Sequence, residues 1–239
     1  MDQPYQPPAA ELTEVPDVAR GRPFRDATLL TRMAMALLLA GTAISVAAII
    51  VYLLQNVVLD EVVAGTREYD DTPLPLLAAM IGTGLLQMLV MLASYIVIGM
   101  WLYRMSWNAH SLAGARQLTV TPRWAVLWYF IPFANLWMPF VAMRETWKAS
   151  ASPHDVANAR SHPILPLWWI LWLATGVLSW AAMQTSLTIK DVRDEIDSNV
   201  AMIASDAGNI VLSLVLLYIV GRLWRMQQDA HVRRRAVTA

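Results

Sequence analysis

Five apolar runs, each long enough to cross a bilayer, leave this chain little choice of fold. They cover residues 33–54, 76–102, 124–143, 164–187 and 200–221; the first four carry no charge and the last carries one, Asp206. A helix needs about 20 apolar residues to cross roughly 30 Å of hydrocarbon. A chain of 239 residues that is 57% hydrophobic and 15% charged has too little polar surface to bury such runs in water; a soluble domain carries about 25% charged residues. The expected fold is all-α and polytopic. Zero cysteines exclude disulfides, thiolate catalysis and iron–sulfur clusters. The four histidines, His110, His154, His162 and His231, show no zinc-binding spacing, so no metal and no cofactor is expected.

The run WAVLWYFIPFANLWMPFVAM, 124–143, decides the topology, because Pro132, Asn135 and Pro139 interrupt it. Lys and Arg gather on the cytoplasmic side of membrane proteins. If 124–143 returns to the side it left, fifteen basic residues fall on one side and three, Arg67, Lys190 and Arg193, on the other; if it crosses, the split is nine and nine. Four spans, about 33–54, 76–102, 164–187 and 200–222, plus one broken re-entrant or interfacial segment over 122–147, are therefore expected. Both termini are then cytoplasmic, and acidic loops lie outside. Most tryptophans fall near the inner ends of the spans, as expected for an interfacial belt.

Local chemistry shapes the segment. Thr121-Pro122 suits a helix start, and Pro132 cannot continue that helix without losing a hydrogen bond. A break over 131–135 is expected, with Asn135 capping a second helix that absorbs Pro139 and runs through Trp147. Residues 1–24 are polar and proline-rich and read as a disordered cytoplasmic tail, 25–228 as one membrane domain, and 229–239 as a basic cytoplasmic tail. The start AMI near 79 and 201, with Gly99 and Gly221 at the same interval, reads either as an echo between two hairpins or as coincidence in apolar sequence.

The runs RMSWNAHSLAG (104–114), TPRWAVLWYFIPFANLWMPFVAMRETWKAS (121–150) and PLWWILW (166–172) resemble a bacterial membrane-protein family known as domain of unknown function 4328. The resemblance spans roughly residues 30 to 225 and rests on Arg104, Asn108, Trp124, Trp128, Pro132, Asn135, Pro139, Arg144, Glu145 and Trp147. It implies an integral membrane protein and no activity.

Candidate site residues follow from depth. Arg104 and Asn108 share one helical face at an inner span end; they either bind an anionic head group or satisfy structure. Asn135 sits at the break, where broken helices bind ligands or ions, or else caps. Arg144 and Glu145 lie at the inner boundary as a head-group clamp or an ion pair, with Lys148 at i,i+3, or Arg104 or Arg123 across the fold, as partners for Glu145. These five form the expected ligand-binding pocket, and Trp124, Trp128, Pro132, Pro139 and Trp147 the structural motif around it. Asp206, the one acid in an apolar run, is either functional or a cap near the outer helix end. Gly82, Gly84 and Gly208 suit close helix packing. Ser152 to Asp155 reads as a capping box rather than part of a hydrolase triad.

The function expected is that of a non-enzymatic inner-membrane protein with a cytoplasm-facing pocket for a lipid or amphiphile, or a scaffold for a partner. A small-solute transporter or channel lined by the break is the alternative, and a membrane-embedded enzyme comes third. Membrane lipids are the expected partners, with a protein partner or second copy of the chain also in view and no nucleic acid. The topology is checked by single cysteines in the cysteine-free background. A cysteine at position 154 should react from the cytoplasmic side in whole cells, and labelling from outside would overturn the four-span arrangement.

Overall fold

The structure is a computed structural model describing residues 22–114 and 117–238. The first 21 residues, most of the expected disordered tail, lie outside it. Among the described residues six α-helices form: α1 Thr28–Val63, α2 Leu74–Ala113, α3 Trp124–Leu127, α4 Met138–Ala151, α5 Ile164–Leu187 and α6 Val192–Thr238. Four of them, α1, α2, α5 and α6, are long and apolar enough to cross a membrane. At 1.5 Å per residue, α6 is about 70 Å long and outruns any bilayer.

Sequence explains the helix ends. Asp26 accepts hydrogen bonds from the Thr28 hydroxyl (2.7 Å) and N–H (3.1 Å), closing the first turn of α1. The Thr28 hydroxyl, then its N–H, hold the Asp26 carboxyl below the usual carboxylate range. Asp191 accepts the Asp194 N–H (2.9 Å), and Asp194 accepts the Lys190 N–H (3.0 Å), so two carboxylates cap the start of α6. Gly114, at φ +87°, ends α2 and donates its N–H to the His110 carbonyl (3.0 Å). With neither Gly nor Pro between Arg222 and Thr238, α6 runs on through 229–238, where the sequence reading placed a tail.

The long helices pack in the order α2, α1, α6, α5. Lipid offers no hydrophobic drive between helices, so small residues that let them approach closely matter more. A Cβ on Gly208 would lie 3.0 Å from Thr175 Cγ2, making Gly208 the tight point between α6 and α5. Gly82 and Gly84 have open space around them, so they make no such contact within the chain. The first half of α2 is at most half-buried: its buried residues begin at Val97. Below that point Val97, Trp101, Leu165, Trp168, Ile219 and Leu223 belong to one apolar cluster. That end of the molecule, here the terminal end, carries both Phe24 and His231, whose rings stack with centroids 4.0 Å apart. The opposite end carries the 64–73 and 188–191 connections and is the loop end.

The broken segment lies at the terminal end and doubles back. Its α-helix stops at Leu127 and resumes at Met138; between them come single 3-10 turns at Trp128–Phe130 and Ala134–Leu136. The break is therefore wider than 131–135. Asn135 does not cap α4, which has no side-chain cap and starts after Trp137. Pro139 must sit in the first turn, which fixes the helix start at Met138 and leaves Asn135 inside the preceding 3-10 turn. Ser152 to Asp155 forms turns, not a short helix; the Asp155 carboxylate accepts the Asn158 N–H (3.3 Å) and its side-chain amide.

Gly208→Val should lower the unfolding free energy in mild detergent by about 1–3 kcal/mol, the usual effect of overpacking. Gly84→Val, which meets open space, should leave it unchanged. Thermal unfolding of the two variants side by side checks the difference.

Candidate functional site

The predicted pocket residues do not share partners, and two separate sets of hydrogen bonds hold three of them. Asn108, fully buried on α2, pairs its side-chain amide with the backbone of Arg25: Oδ1 accepts the Arg25 N–H (3.0 Å) and Nδ2 donates to the Arg25 carbonyl (2.8 Å). One turn earlier, Arg104 Nη1 donates to the Asp26 carbonyl (2.8 Å). Trp107 Nε1 donates to the Pro23 carbonyl (3.0 Å), and the guanidiniums of Arg22 and Arg25 lie 4.8 and 4.1 Å from its ring centroid. Arg104 and Asn108 thus hold an extended strap, residues 22–27, across the terminal end. The sequence reading assigned the first three of those residues to the tail.

Glu145 of α4 holds a different segment. Its carboxylate accepts the backbone N–H groups of Thr119 and Val120 (both 3.0 Å) and the Thr119 hydroxyl. Among the described residues it pairs with no arginine, contrary to expectation. The unpaired N–H groups of the 117–120 loop are the stronger claim on it, since a carboxylate can satisfy several at once. This contact ties residue 120 to residue 145, so the two ends of the broken segment lie together. Arg144, next in sequence, points elsewhere and lies 5.7 Å from the Phe140 ring centroid.

Asn135 stands apart from both sets. Its Oδ1 is buried with no hydrogen-bond partner. The turns around it satisfy their own backbone: Asn135 N–H reaches the Ile131 carbonyl (3.0 Å) and Leu136 N–H the Phe133 carbonyl (3.0 Å). Phe133 sits at φ +64° to make this possible, a conformation that strains a bulky side chain. The break leans on α5, where Trp169 Nε1 donates to the Leu136 carbonyl (3.2 Å) and Trp172 meets Tyr129 edge-on at 6.1 Å. It also leans on α2, where Gly99 lets Val126 approach.

Between α2 and the broken segment lies an open groove of about 810 Å³. Its walls include Ile96, Met100, Val126, Leu127 and Phe130, with Leu30 of α1 at one side. Arg104 and Arg123 line the same groove, together with Tyr95 and Tyr103. Arg104 uses one of its five N–H donors on the strap. Arg123 is exposed and makes no hydrogen bond or ion pair among the described residues. Sequence reasoning missed the groove: Arg123 precedes an apolar run much as Arg104 follows one, and that symmetry was the available signal. It also missed Gln227, 1% exposed, which donates to the Met105 carbonyl (2.9 Å) and Ser150 Oγ (3.0 Å) and joins α6 to α2 and α4.

A family described as Domain of unknown function (DUF4328) matches residues 77–225. The chain belongs to this family. The DUF4328 match opens inside α2 and closes inside α6, so it takes in Arg104, Asn108, the broken segment and Glu145 and leaves out α1 and the strap. No curated protein and no solved structure matches the chain.

Asn108→Ala removes both bonds to Arg25. The strap should then open, and trypsin should cut after Arg25 about tenfold faster, the effect of losing roughly 1.5 kcal/mol of hydrogen bonding. The fragment from α1 to α6 should stay folded. Time-resolved proteolysis with mass spectrometry checks this.

Proposed function

We propose that this protein binds an anionic amphiphile in the groove between α2 and the broken segment, and that it does so without enzymatic activity. The observation that carries this reading is the pairing of an apolar trough with two guanidiniums, Arg104 and Arg123, at its rim. Acyl chains fill a trough of aliphatic and aromatic side chains, while a phosphate or carboxylate head group suits guanidinium donors. The exposed Phe130, Phe133 and Leu136 of the break, at 76%, 78% and 52%, support placing its tip in the acyl region. On this reading the terminal end faces the cytoplasm, the side to which its basic residues assign it, and the membrane is a bacterial inner membrane.

A transport pathway would need polar groups joining the break to the interior acid Asp206. Between Asp206 and Gln227 α6 instead packs Leu212, Val215, Ile219, Val220 and Leu223 into the apolar cluster. That arrangement favours binding over passage.

Native mass spectrometry in mild detergent tests the proposal. Wild type should retain an anionic lipid, and Arg104→Ala with Arg123→Ala should lose it while keeping the helical fold. Arg144→Ala, whose side chain lies against Phe140, should keep it. Equal lipid complements on wild type and the double variant would overturn the proposal.

A further inference from the structure

A column of polar side chains enters the bundle from the loop end along α6. At its mouth Glu195 accepts hydrogen bonds from Gln55 Nε2 (2.7 Å) and the Tyr69 hydroxyl (3.0 Å). The same Glu195 bond pushes the Tyr69 phenol above its ordinary range. Gln55 is 5% exposed and its Oε1 has no partner. One turn deeper Asn199 Nδ2 donates to Asn56 Oδ1, and Ser198 shares a hydrogen bond with Ser186, both at 2.8 Å. Deeper still, Ser205 meets Ser179 (2.8 Å), and beside it lies Asp206. These groups span about 16 Å of helix axis at 1.5 Å per residue, with the apolar residues 200–204 between Asn199 and Ser205, and the apolar cluster lies beyond Asp206.

Asp206 is 8% exposed. Its Oδ1 accepts the Ser45 hydroxyl (2.8 Å), and Gln87 Nε2 donates to both oxygens (3.0 and 3.2 Å). Among the described residues no Arg, Lys or His accompanies it. It does not cap α6, which begins at Val192, so the alternative that placed it at a helix end fails. Tyr52 of α1 is the titratable group that faces it; α2 presents the neutral Gln87, and α5 presents Ser179 through Ser205. A carboxylate in hydrocarbon needs a counter-charge or must be neutralised.

The partners suit a proton better than a metal ion. A serine hydroxyl both donates and accepts, and a glutamine amide carries a donor and an acceptor on one group, so both serve the carboxylate and the carboxylic acid alike. A hard cation takes about six to eight oxygens. Here Gln87 turns its nitrogen to the site, and the described residues hold no group of three His, Cys, Asp or Glu. We propose that Asp206 is a proton-binding site reached from the loop end, distinct from the amphiphile groove. The proton comes from water at the loop end and adds to a carboxylate oxygen; no other bond forms or breaks. The apolar cluster below makes this a terminus, not part of a proton path through the membrane. In the first half of α2, Gln87 is the side chain that hydrogen-bonds to another helix among the described residues, so the charge at Asp206 sets how that half is held.

Infrared difference spectra of the full-length protein in dodecyl maltoside, which has no carbonyl, test this as pH is stepped from about 4 to 9, the range spanning perturbed carboxyls. A protonated-carboxyl C=O stretch should come and go with pH and be lost in Asp206→Asn. Ser45→Ala and Gln87→Leu keep the carboxyl and should move the midpoint by about one pH unit or more. They carry the test if Asp206→Asn fails to fold. The proposal is overturned by a wild type without such a band, by the same band in Asp206→Asn, or by a midpoint indifferent to both partner variants. A midpoint that follows sodium concentration would reassign the site to a metal cation. A pH-jump response unchanged by Asn199→Leu would overturn the route along the column.

Discussion

Every backbone N–H and C=O near lipid needs a partner, and this requirement governs the fold more than any single contact. Four helices meet it internally along their whole length. The broken segment cannot, because Pro132 withholds a donor and stops the helix. Its two 3-10 turns restore local pairing, at the expense of a positive φ at Phe133. What the turns leave over is taken up by side chains from neighbours, such as Trp169 of α5 on the Leu136 carbonyl. The segment is held from both sides, by α2 and α5, since bare irregular backbone has no stable place in a bilayer.

The same logic explains the terminal end. There the chain passes from helix to loop three times, and each transition exposes backbone groups. Asn108 pairs with Arg25 as a second strand would, Glu145 takes two loop N–H groups, and Gln227 reaches the Met105 carbonyl. These long-range bonds differ in kind from the packing higher in the bundle, where Gly208 against Thr175 sets the spacing. One end is specified by side chains bonded to backbone, and the middle by close packing together with side-chain bonds between helices at Ser205 and Asp206. Loss of a bond at the terminal end should therefore release one segment, whereas overpacking in the middle should affect the whole bundle.

The spans were legible because apolar length is a strong signal, and the break in the 124–143 run was legible because Pro132 cannot continue a helix. The site was less so. Arg104 and Asn108 were legible as neighbours on one helix, yet their partner is backbone, and backbone carries no residue-specific signal in sequence. Glu145 was expected to find an arginine, because charge is visible in sequence and an orphaned amide is not. Asn135 was expected to cap, since Asn commonly does; the demand of Pro139 for a place in the first turn moved the helix start beyond its reach. Asp206 lay near the end of its apolar run, but the amphipathic first turns of α6 extend the helix to Val192 and bury it.

Both proposed sites touch α2. Gln87 meets Asp206 in its first half, and Tyr95, Met100 and Arg104 line the groove further on. From Gln87 to Gly99, where α2 receives Val126, is about 18 Å of continuous helix at 1.5 Å per residue. Rigid helices carry displacement over such distances, and α2 above Val97 is held by α1 and by Gln87 alone among its side-chain hydrogen bonds to other described helices. A change in the charge of Asp206 that alters the Gln87 bond therefore acts on the helix that forms one wall of the groove. Linkage makes any such coupling reciprocal: an amphiphile that favours one position of α2 must favour one protonation state of Asp206 to the same extent. Arg104 adds a second coupling, because it serves both the groove and the strap. A head group that draws the guanidinium away from the Asp26 carbonyl weakens the hold on residues 22–27, while Asn108, buried and not part of the groove lining, keeps its grip on Arg25. The strap is therefore expected to loosen at its Asp26 end first, with the Asn108 pair as the pivot.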